Sequence, residues 1–367
     1  MKENSIDFIL LTVTILLVGI GMVMIYSSSS VLSEVKYQDS SFFLKKHLIM
    51  LVLGTAVMVL AALTDYSKLS GRVAQFLLLA GFVLLVVVLK PKFTGQPQMV
   101  CRWIRIWKFN FQPSEFMKLA LVVYMADSLT RRQDRIKNFV WGFLPHLLIL
   151  LMVAGLIILE PALGTTVAIM IIITAMFFLA GVKLSHLGGL VLAALPIIYF
   201  SISHVGYRLA RVKAFLRPEE NLQGINYQTY QSLLALGSGG LRGVGLGHSR
   251  QKFLFLPAPH TDFIYAIIGE EWGFIGAVVV LSLFLVFIWR GLRIAHRAPD
   301  LQGFLLASGL TIMIATYTAV NIGVTIGICP TTGLPLPFIS YGGSSLVLSL
   351  ASTGILLSIS REERQVW

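Results

Sequence analysis

The chain of 367 residues is 56% hydrophobic and 13% charged, and its 29 Lys and Arg against 17 Asp and Glu give a formal net charge of +12. A composition this apolar, with hydrophobic runs recurring from end to end, excludes a soluble globular domain and leaves a polytopic membrane protein. The basic excess fits cytoplasmic loops and lipid headgroups, with membrane lipids and not nucleic acid as partners, or else an anionic substrate.

About 20 helical residues cross ~30 Å of hydrocarbon. Runs of that order fall at 8–26, 48–63, 73–89, 114–128, 139–159, 163–181, 184–203, 263–289, 301–327 and 340–360. None alternates strictly, so each satisfies its own backbone hydrogen bonds as a helix and not as part of a barrel. The expected fold is an all-α polytopic membrane protein, one domain over 1–367 with ten transmembrane helices. Its large extracytoplasmic loop, 204–262, lies between helices 7 and 8. The first run lacks a small-residue cleavage site and reads as a retained span.

With ten spans both termini share a side. The gaps at 64–72, 129–138 and 290–300 fall on that side and hold Arg131, Arg132, Arg135, Lys137, Arg290, Arg293 and Arg297. The positive-inside rule makes it the cytoplasm. The outward gaps at 90–111 and 204–262 are also basic, as a face shaped for an anionic ligand would be and as a long translocated loop permits. Cys101 and Cys329 are too few for a disulfide framework, lack metal-ligand spacing and read as free thiols, with a single bridge as the alternative. No internal repeat of the transporter kind is visible.

Chemistry-bearing residues gather toward the outer side. CRWIRIWKFNF interleaves Arg102, Arg105 and Lys108 with aromatic residues, a membrane-surface pattern in which Arg102 also offers a planar fork for phosphate. In QPSEFMKLAL, Glu115 and Lys118 share a helix face, as an internal ion pair or as cavity-lining groups. Glu160-Pro161 marks an outer turn. GSGGLRGVGLG, with Gly239 and Gly240, reads as a backbone cradle for phosphate or as a loop packed on helices. In FLPAPHTDFIYAIIGEE, Asp262 follows His260 and Thr261 at the start of a hydrophobic run, where it reads as a helix N-cap or as a working acid. Glu270 and Glu271 lie two turns deeper, structural or relay groups about 12 Å along the helix axis, too far for a close carboxylate pair. CPTTGLPLPFISYGGSSLV breaks helical structure with three prolines and brings Ser340 and Tyr341 to another wall of the same region.

In order and spacing, YSSSS at 26–30, RW at 102–103, QPSEFMK at 112–118, GSGGLRGVGLG at 237–247, LPAPHTDFIYAIIGEE at 256–271 and GLPLPFISYGGSS at 333–345 resemble the SEDS (shape, elongation, division and sporulation) family. These are bacterial membrane enzymes that polymerise peptidoglycan, and GHSRQKFLFLPAPHTDF is more similar to the division and sporulation branch than to the elongation branch. The resemblance implies a glycosyltransferase of the bacterial cytoplasmic membrane with cytoplasmic termini. It implies lipid II as substrate, a class B penicillin-binding protein as partner, and other divisome or elongasome membrane proteins. It places the essential aspartate on Asp262, a phosphate-side arginine on Arg102 and an intramembrane acid and lysine on Glu115 and Lys118. The chain departs from the family pattern at Gln98-Met99, where Asn-Gly is usual, and at Ala162, where the outer turn usually has aspartate.

On these grounds Asp262 is expected to act as a general base on the acceptor sugar, inverting the donor and releasing undecaprenyl pyrophosphate, while Arg102, loop amides, Lys118 or a divalent cation such as Mg or Mn stabilises the leaving group. His260, Thr261, Gly239, Gly240, Ser340 and Tyr341 are expected to contact substrate. A lipid II flippase and a non-catalytic scaffold for a penicillin-binding protein are the rival readings.

Overall fold

The computed structural model describes residues 6–93, 102–106, 109–217, 219–220, 224 and 226–362. Cys101, Trp107 and Lys108 lie outside them, as do Gln98 and Met99. The chain is almost wholly helical among the described residues: α1 (Phe8–Tyr37), α2 (Phe42–Leu63), α3 (Arg72–Phe93), α4 (Pro113–Arg131), α5 (Leu144–Leu159), α6 (Leu163–Leu179), α7 (Leu184–Ser203), α8 (Gly206–Leu216), α9 (Tyr227–Gly239), α10 (Ile264–His296), α11 (Leu301–Thr325) and α12 (Gly343–Arg361). Each of the ten apolar runs falls on one of these helices.

Among the described residues, eight helices are long and apolar enough to cross a membrane. Of the other two runs, α6 is an apolar helix of 17 residues, and α4 carries Glu115, Lys118, Asp127 and Arg131. The protein is thus a multi-pass membrane protein in which α12 and α11 form the centre, with 89% and 67% of their most apolar stretches buried, and α7 the periphery, with 11%. Small residues permit the central contacts: a Cβ on Gly354 would lie 2.3 Å from the Met58 carbonyl oxygen, and one on Gly54 2.7 Å from Leu350. The backbones of α2 and α12 therefore meet with nothing between them, the usual device where lipid gives helices no hydrophobic reason to associate.

Several boundaries differ from the hydropathy reading. α1 continues eleven residues beyond the expected end at 26, through YSSSS. Ser28 and Ser29 donate their hydroxyls to the carbonyls of Met24 and Ile25, both at 2.6 Å, so polar residues are absorbed into the helix. The loop at 204–262 is partly helical among the described residues. It carries two helices, α8, which is basic and amphipathic, and α9. Two short strands precede α4, β1 (Ile104–Ile106) pairing antiparallel with β2 (Phe109–Phe111), in register Ile104 to Phe111 and Ile106 to Phe109. Alternating Ile and Arg within that stretch is a strand pattern that the aromatic-cationic reading passed over.

α10 is broken at Gly273, whose φ of 68° and ψ of −167° are outside the helical range. The glycine-rich loop fills the break. Phe274 N–H donates to the Gly240 carbonyl at 2.8 Å and Ile275 N–H to the Leu241 carbonyl at 3.2 Å, while Val244 N–H donates back to the Glu270 carbonyl at 3.0 Å. At the opposite end of the bundle, Asp7 caps α1 by accepting from Leu10 N–H at 2.9 Å and accepts the Arg290 guanidinium, with Nε to Oδ2 at 2.9 Å.

Candidate active site around Asp262

Asp262 stands two residues before α10 begins. It does not cap that helix: the cap position is Phe263, and no side chain closes it. With the N-cap role removed, the carboxylate is left to face a pocket of about 80 Å³ whose lining includes Arg211, Gln228, Asn321, Thr332 and Gly333. Among the described residues, Asp262 is the only carboxylate in that lining. Burial pushes its pKa up from the ordinary carboxylate range, against the opposing pull of the Arg211 and Arg102 charges and the Thr261 hydroxyl. A carboxylate raised by burial and still held near cations is the electrostatic setting of a general base.

Its backbone is fixed by two neighbours. Asn321 of α11 donates from Nδ2 to the Asp262 carbonyl at 2.9 Å and to the Leu334 carbonyl at 2.8 Å, tying the start of α10 to the irregular segment after α11. Ser340 Oγ donates to the Thr261 carbonyl at 2.6 Å and accepts from Leu336 N–H at 2.9 Å, and Tyr341 N–H donates to the His260 carbonyl at 2.8 Å. Ser340 and Tyr341 are thus placed as supports of the His260-Thr261-Asp262 turn. Phe338, with φ of 64°, marks the sharp bend that allows this approach. The His260 ring packs 4.7 Å from that of Phe43 and 5.5 Å from that of Tyr341, and burial drives its pKa down to about 4, so it is neutral at physiological pH.

Arg102 lies just before β1 and clamps the turn between α5 and α6. Its Nε donates to the Glu160 carbonyl at 3.1 Å, and its Nη2 donates to the Pro161 carbonyl. The outer turn is therefore a docking point for Arg102, with Ala162 immediately before α6. A Cβ on Gly164 would lie 2.8 Å from Thr332, which seats α6 against the wall of the Asp262 pocket.

Glu115 and Lys118 form a buried ion pair, with Nζ to Oε2 at 2.9 Å. Lys118 Nζ also lies 3.6 Å from the centroid of the Tyr317 ring, a cation–π contact. Neither residue lines the Asp262 pocket; α11 connects them to it, because Tyr317 is one turn from Asn321.

Glu270 and Glu271 project the other way. Glu270 accepts from the Ser249 hydroxyl and from Arg250 N–H at 2.9 Å. Glu271 accepts from Ser27 of α1 at 2.6 Å and lies 3.9 Å from Lys252 Nζ. The pair staples the segment after the glycine loop to α10 and α1. The amides of Gly243, Val244 and Gly245 are likewise used internally, on the carbonyls of Gly239, Glu270 and Glu271. A Cβ at Gly239 or Gly243 would come within 2.0 Å or 2.1 Å of α10 backbone oxygens. Close packing accounts for these glycines, and a phosphate cradle is not what the loop's amides form here.

Arg211, Asn321 and Thr332 were not among the residues singled out by sequence. Their signals, an arginine on an amphipathic helix, one asparagine in an apolar span and a threonine pair, are common and carry no motif. Among the described residues no group of three or more His, Cys, Asp or Glu is placed to hold a metal. Of the groups lining the Asp262 pocket, the Asp262 carboxylate is the one charged oxygen ligand that a divalent cation would have among the described residues. Cys329 is a free thiol.

Comparison with known proteins converges on one family. Residues 7–365 match the profile of the FtsW/RodA/SpoVE family, described as "Cell cycle protein". The chain is 43% identical over 354 residues to the probable peptidoglycan glycosyltransferase FtsW of Trichlorobacter lovleyi, covering 96% of this chain and 93% of that one. It is 43% identical over 363 residues to stage V sporulation protein E of Bacillus subtilis, covering 99% of both. Among solved structures, it superposes with a TM-score of 0.80 and 29% identity on a chain of a peptidoglycan synthase complex that coordinates polymerization and crosslinking, over 99% of each chain. It superposes with a TM-score of 0.72 and 27% identity on the rod shape determining protein RodA of Thermus thermophilus, over 100% of each chain.

Proposed function

The chain belongs to the FtsW/RodA/SpoVE (SEDS) family and is a membrane-embedded peptidoglycan glycosyltransferase, and from that premise we propose that it polymerises lipid II with Asp262 as the general base. The acceptor sugar's 4-hydroxyl gives its proton to the Asp262 carboxylate as its oxygen bonds to the donor's anomeric carbon. The bond from that carbon to the diphosphate breaks, and the electron pair leaves with undecaprenyl diphosphate. An α-linked donor becomes a β-1,4 linkage. Diphosphate is already a good leaving group, so a second catalytic carboxylate of the kind glycoside hydrolases need is not required. The observation that carries this reading is that Asp262, alone among the described carboxylates, lines the pocket, with its pKa raised by burial and Arg211 and Arg102 nearby.

The reaction side is outward, the termini are cytoplasmic and ten helices span the bilayer. A class B penicillin-binding protein is the partner, consistent with the synthase complex among the structural relatives. Other division, sporulation or elongation membrane proteins share the assembly.

Purified Asp262→Asn, monodisperse and with wild-type thermal stability, is expected to lose polymerisation of lipid II by ~10²–10⁴-fold, the usual contribution of a positioned base. Wild-type polymerisation by this variant would refute the assignment. If the chain were a flippase or a scaffold, the purified wild type would itself make no glycan from lipid II.

A further inference from the structure

Two turns on the side proposed as cytoplasmic are clasped into one corner. In the turn from α4 to α5, Gln133 Nε2 donates to the Ala180 carbonyl of the turn from α6 to α7 at 3.2 Å, and the Phe139 and Phe143 rings lie 5.3 and 5.5 Å from that of His186 at the start of α7. The inner part of the corner is closely fitted. Ile136 is buried, Asn138 accepts from the Val140 and Trp141 N–H groups at 3.0 and 3.2 Å, and a Cβ on Gly142 would run into the Arg135 carbonyl.

What the corner presents outward is Arg132, Arg135 and Lys137, with Lys183 added by the turn before α7, all of them exposed. Arg131 is taken by Asp127, but these four cations have no ion pair among the described residues. Asp134 is the one acid in the two turns. Apolar groups accompany the charges: Trp141 is 67% exposed and Leu184 70%, and the outward row that begins at Trp141 continues along α5 through Leu148 and Met152. The basic turn after α10 is built differently. Arg290 is taken by Asp7, and the guanidiniums of Arg290 and Arg293 lie 5.4 and 5.7 Å from the Trp289 ring. Topology asks for cations at both turns, but it does not ask for one set to stand unpaired beside an exposed tryptophan.

We propose that the corner formed by Arg132, Arg135, Lys137 and Lys183 binds the headgroup of an anionic phospholipid such as phosphatidylglycerol, with Trp141 at the interface and the acyl chains along α5. Basic clusters at the ends of spans attract anionic lipid, and a guanidinium donates paired N–H groups to one phosphate. A soluble anion would satisfy the cations and leave Trp141 and Leu184 uncovered. An acidic protein segment would have to lie against the acyl region to cover them. A lipid supplies both parts at the right depth, since α5 begins three residues after Trp141. The headgroup also offsets the mutual repulsion of four like charges where α7, whose buried residues are Leu187 and Leu190, joins the bundle.

The site does not depend on the glycosyltransferase reading, and its test needs no turnover. The full chain is placed in phosphatidylcholine nanodiscs carrying a minority of lipid brominated near the headgroup end of its chains, either phosphatidylglycerol or phosphatidylcholine. Quenching of Trp141 is read as the difference between the protein and Trp141→Phe, and it gives the association of each lipid with the corner. Phosphatidylglycerol is expected to be preferred about tenfold. The triple variant Arg135→Gln, Lys137→Gln, Lys183→Gln should lose the preference while phosphatidylcholine quenches as before, because Trp141 stays at the interface. Lys183→Gln alone should lower the preference part of the way, and Arg293→Gln should leave it as in wild type. Equal association of the two lipids in wild type would leave the cations to water or to an acidic protein, and overturns the proposal. So does a preference that survives in the triple variant or, should that variant not fold, one undiminished in Lys183→Gln. A loss in Arg293→Gln as large as in the triple variant would mean a general surface potential and no site. Displacement of phosphatidylglycerol by inorganic phosphate, beyond that by sodium chloride of equal ionic strength, would mark a site for soluble anions and likewise overturn it.

Discussion

Tyr317 and Asn321 lie one turn apart on α11 and hold two different parts of the site: the Tyr317 ring lies 3.6 Å from Lys118 Nζ, and the Asn321 amide donates to the Asp262 carbonyl at 2.9 Å. The buried ion pair and the candidate base are therefore parts of one framework although they do not touch. In Asn321→Leu both the Asp262 and Leu334 carbonyls lose a buried donor, a loss of ~1–3 kcal/mol for each group left unsatisfied. The expected result is a lowered melting temperature in nanodiscs together with a kcat that falls more than KM changes, because the Asp262 backbone is freed while the rest of the pocket lining, Arg211 included, stays in place. A KM effect alone would contradict this.

The Glu115–Lys118 pair makes a second prediction. Removing one partner strands a buried charge, at a cost of ~3–5 kcal/mol, whereas replacing both by uncharged side chains of similar volume leaves no charge buried. Lys118→Met and Glu115→Gln should each destabilise strongly, and the double variant should be more stable than the sum of the two predicts. Thermal unfolding of the four proteins in one lipid composition gives the coupling directly.

The pH profile tests the electrostatics around Asp262. Arg102 lowers the Asp262 pKa, so Arg102→Gln lets that pKa rise. A base works only when deprotonated, and a higher pKa leaves it protonated over more of the acid range. The acid limb of kcat/KM should therefore move to higher pH in Arg102→Gln, with the alkaline side unchanged. A uniform drop with no displacement would mean that Arg102 acts on binding or folding alone.

Glycine substitutions separate close packing from open surface. Gly243 has φ of 80°, and a Cβ there would sit 2.1 Å from the Glu271 carbonyl oxygen. Gly243→Ala should cost ~1–3 kcal/mol and unseat the glycine loop. A Cβ on Gly188 of α7 would meet nothing within 4 Å. Gly188→Ala should be neutral or slightly stabilising, as alanine is the better helix former.

Hydropathy placed every apolar run on a helix because lipid leaves the backbone no other way to satisfy itself. It misjudged the ends wherever polar side chains bond back to the helix, as Ser28 and Ser29 do in α1. Asp262 stood out because an acid beside a long apolar run is uncommon. Arg211 and Asn321 did not, since their importance comes from which distant segments they join: Arg211 reaches Thr331, and Asn321 reaches both Asp262 and Leu334. The glycine loop was legible as a place of special backbone. What it approaches, the carbonyls exposed where α10 breaks, is a tertiary fact with no local signature.

The break at Gly273 has a mechanical consequence. A continuous helix of 33 residues would be ~50 Å long, well beyond the ~30 Å of hydrocarbon. Residues 274–296 alone reach ~35 Å and suffice to cross. The nine residues from Ile264 to Trp272 are thereby released from spanning and become part of the protein interior. Bilayer thickening or thinning is taken up by tilt of the longer piece, while the shorter piece, stapled through Glu270 and Glu271, travels with the loop it carries. Asp262 is tied through its backbone to Asn321 and the shorter piece is tied through Glu271 to Ser27, so polymerisation is expected to vary little with the acyl-chain length of the surrounding lipid.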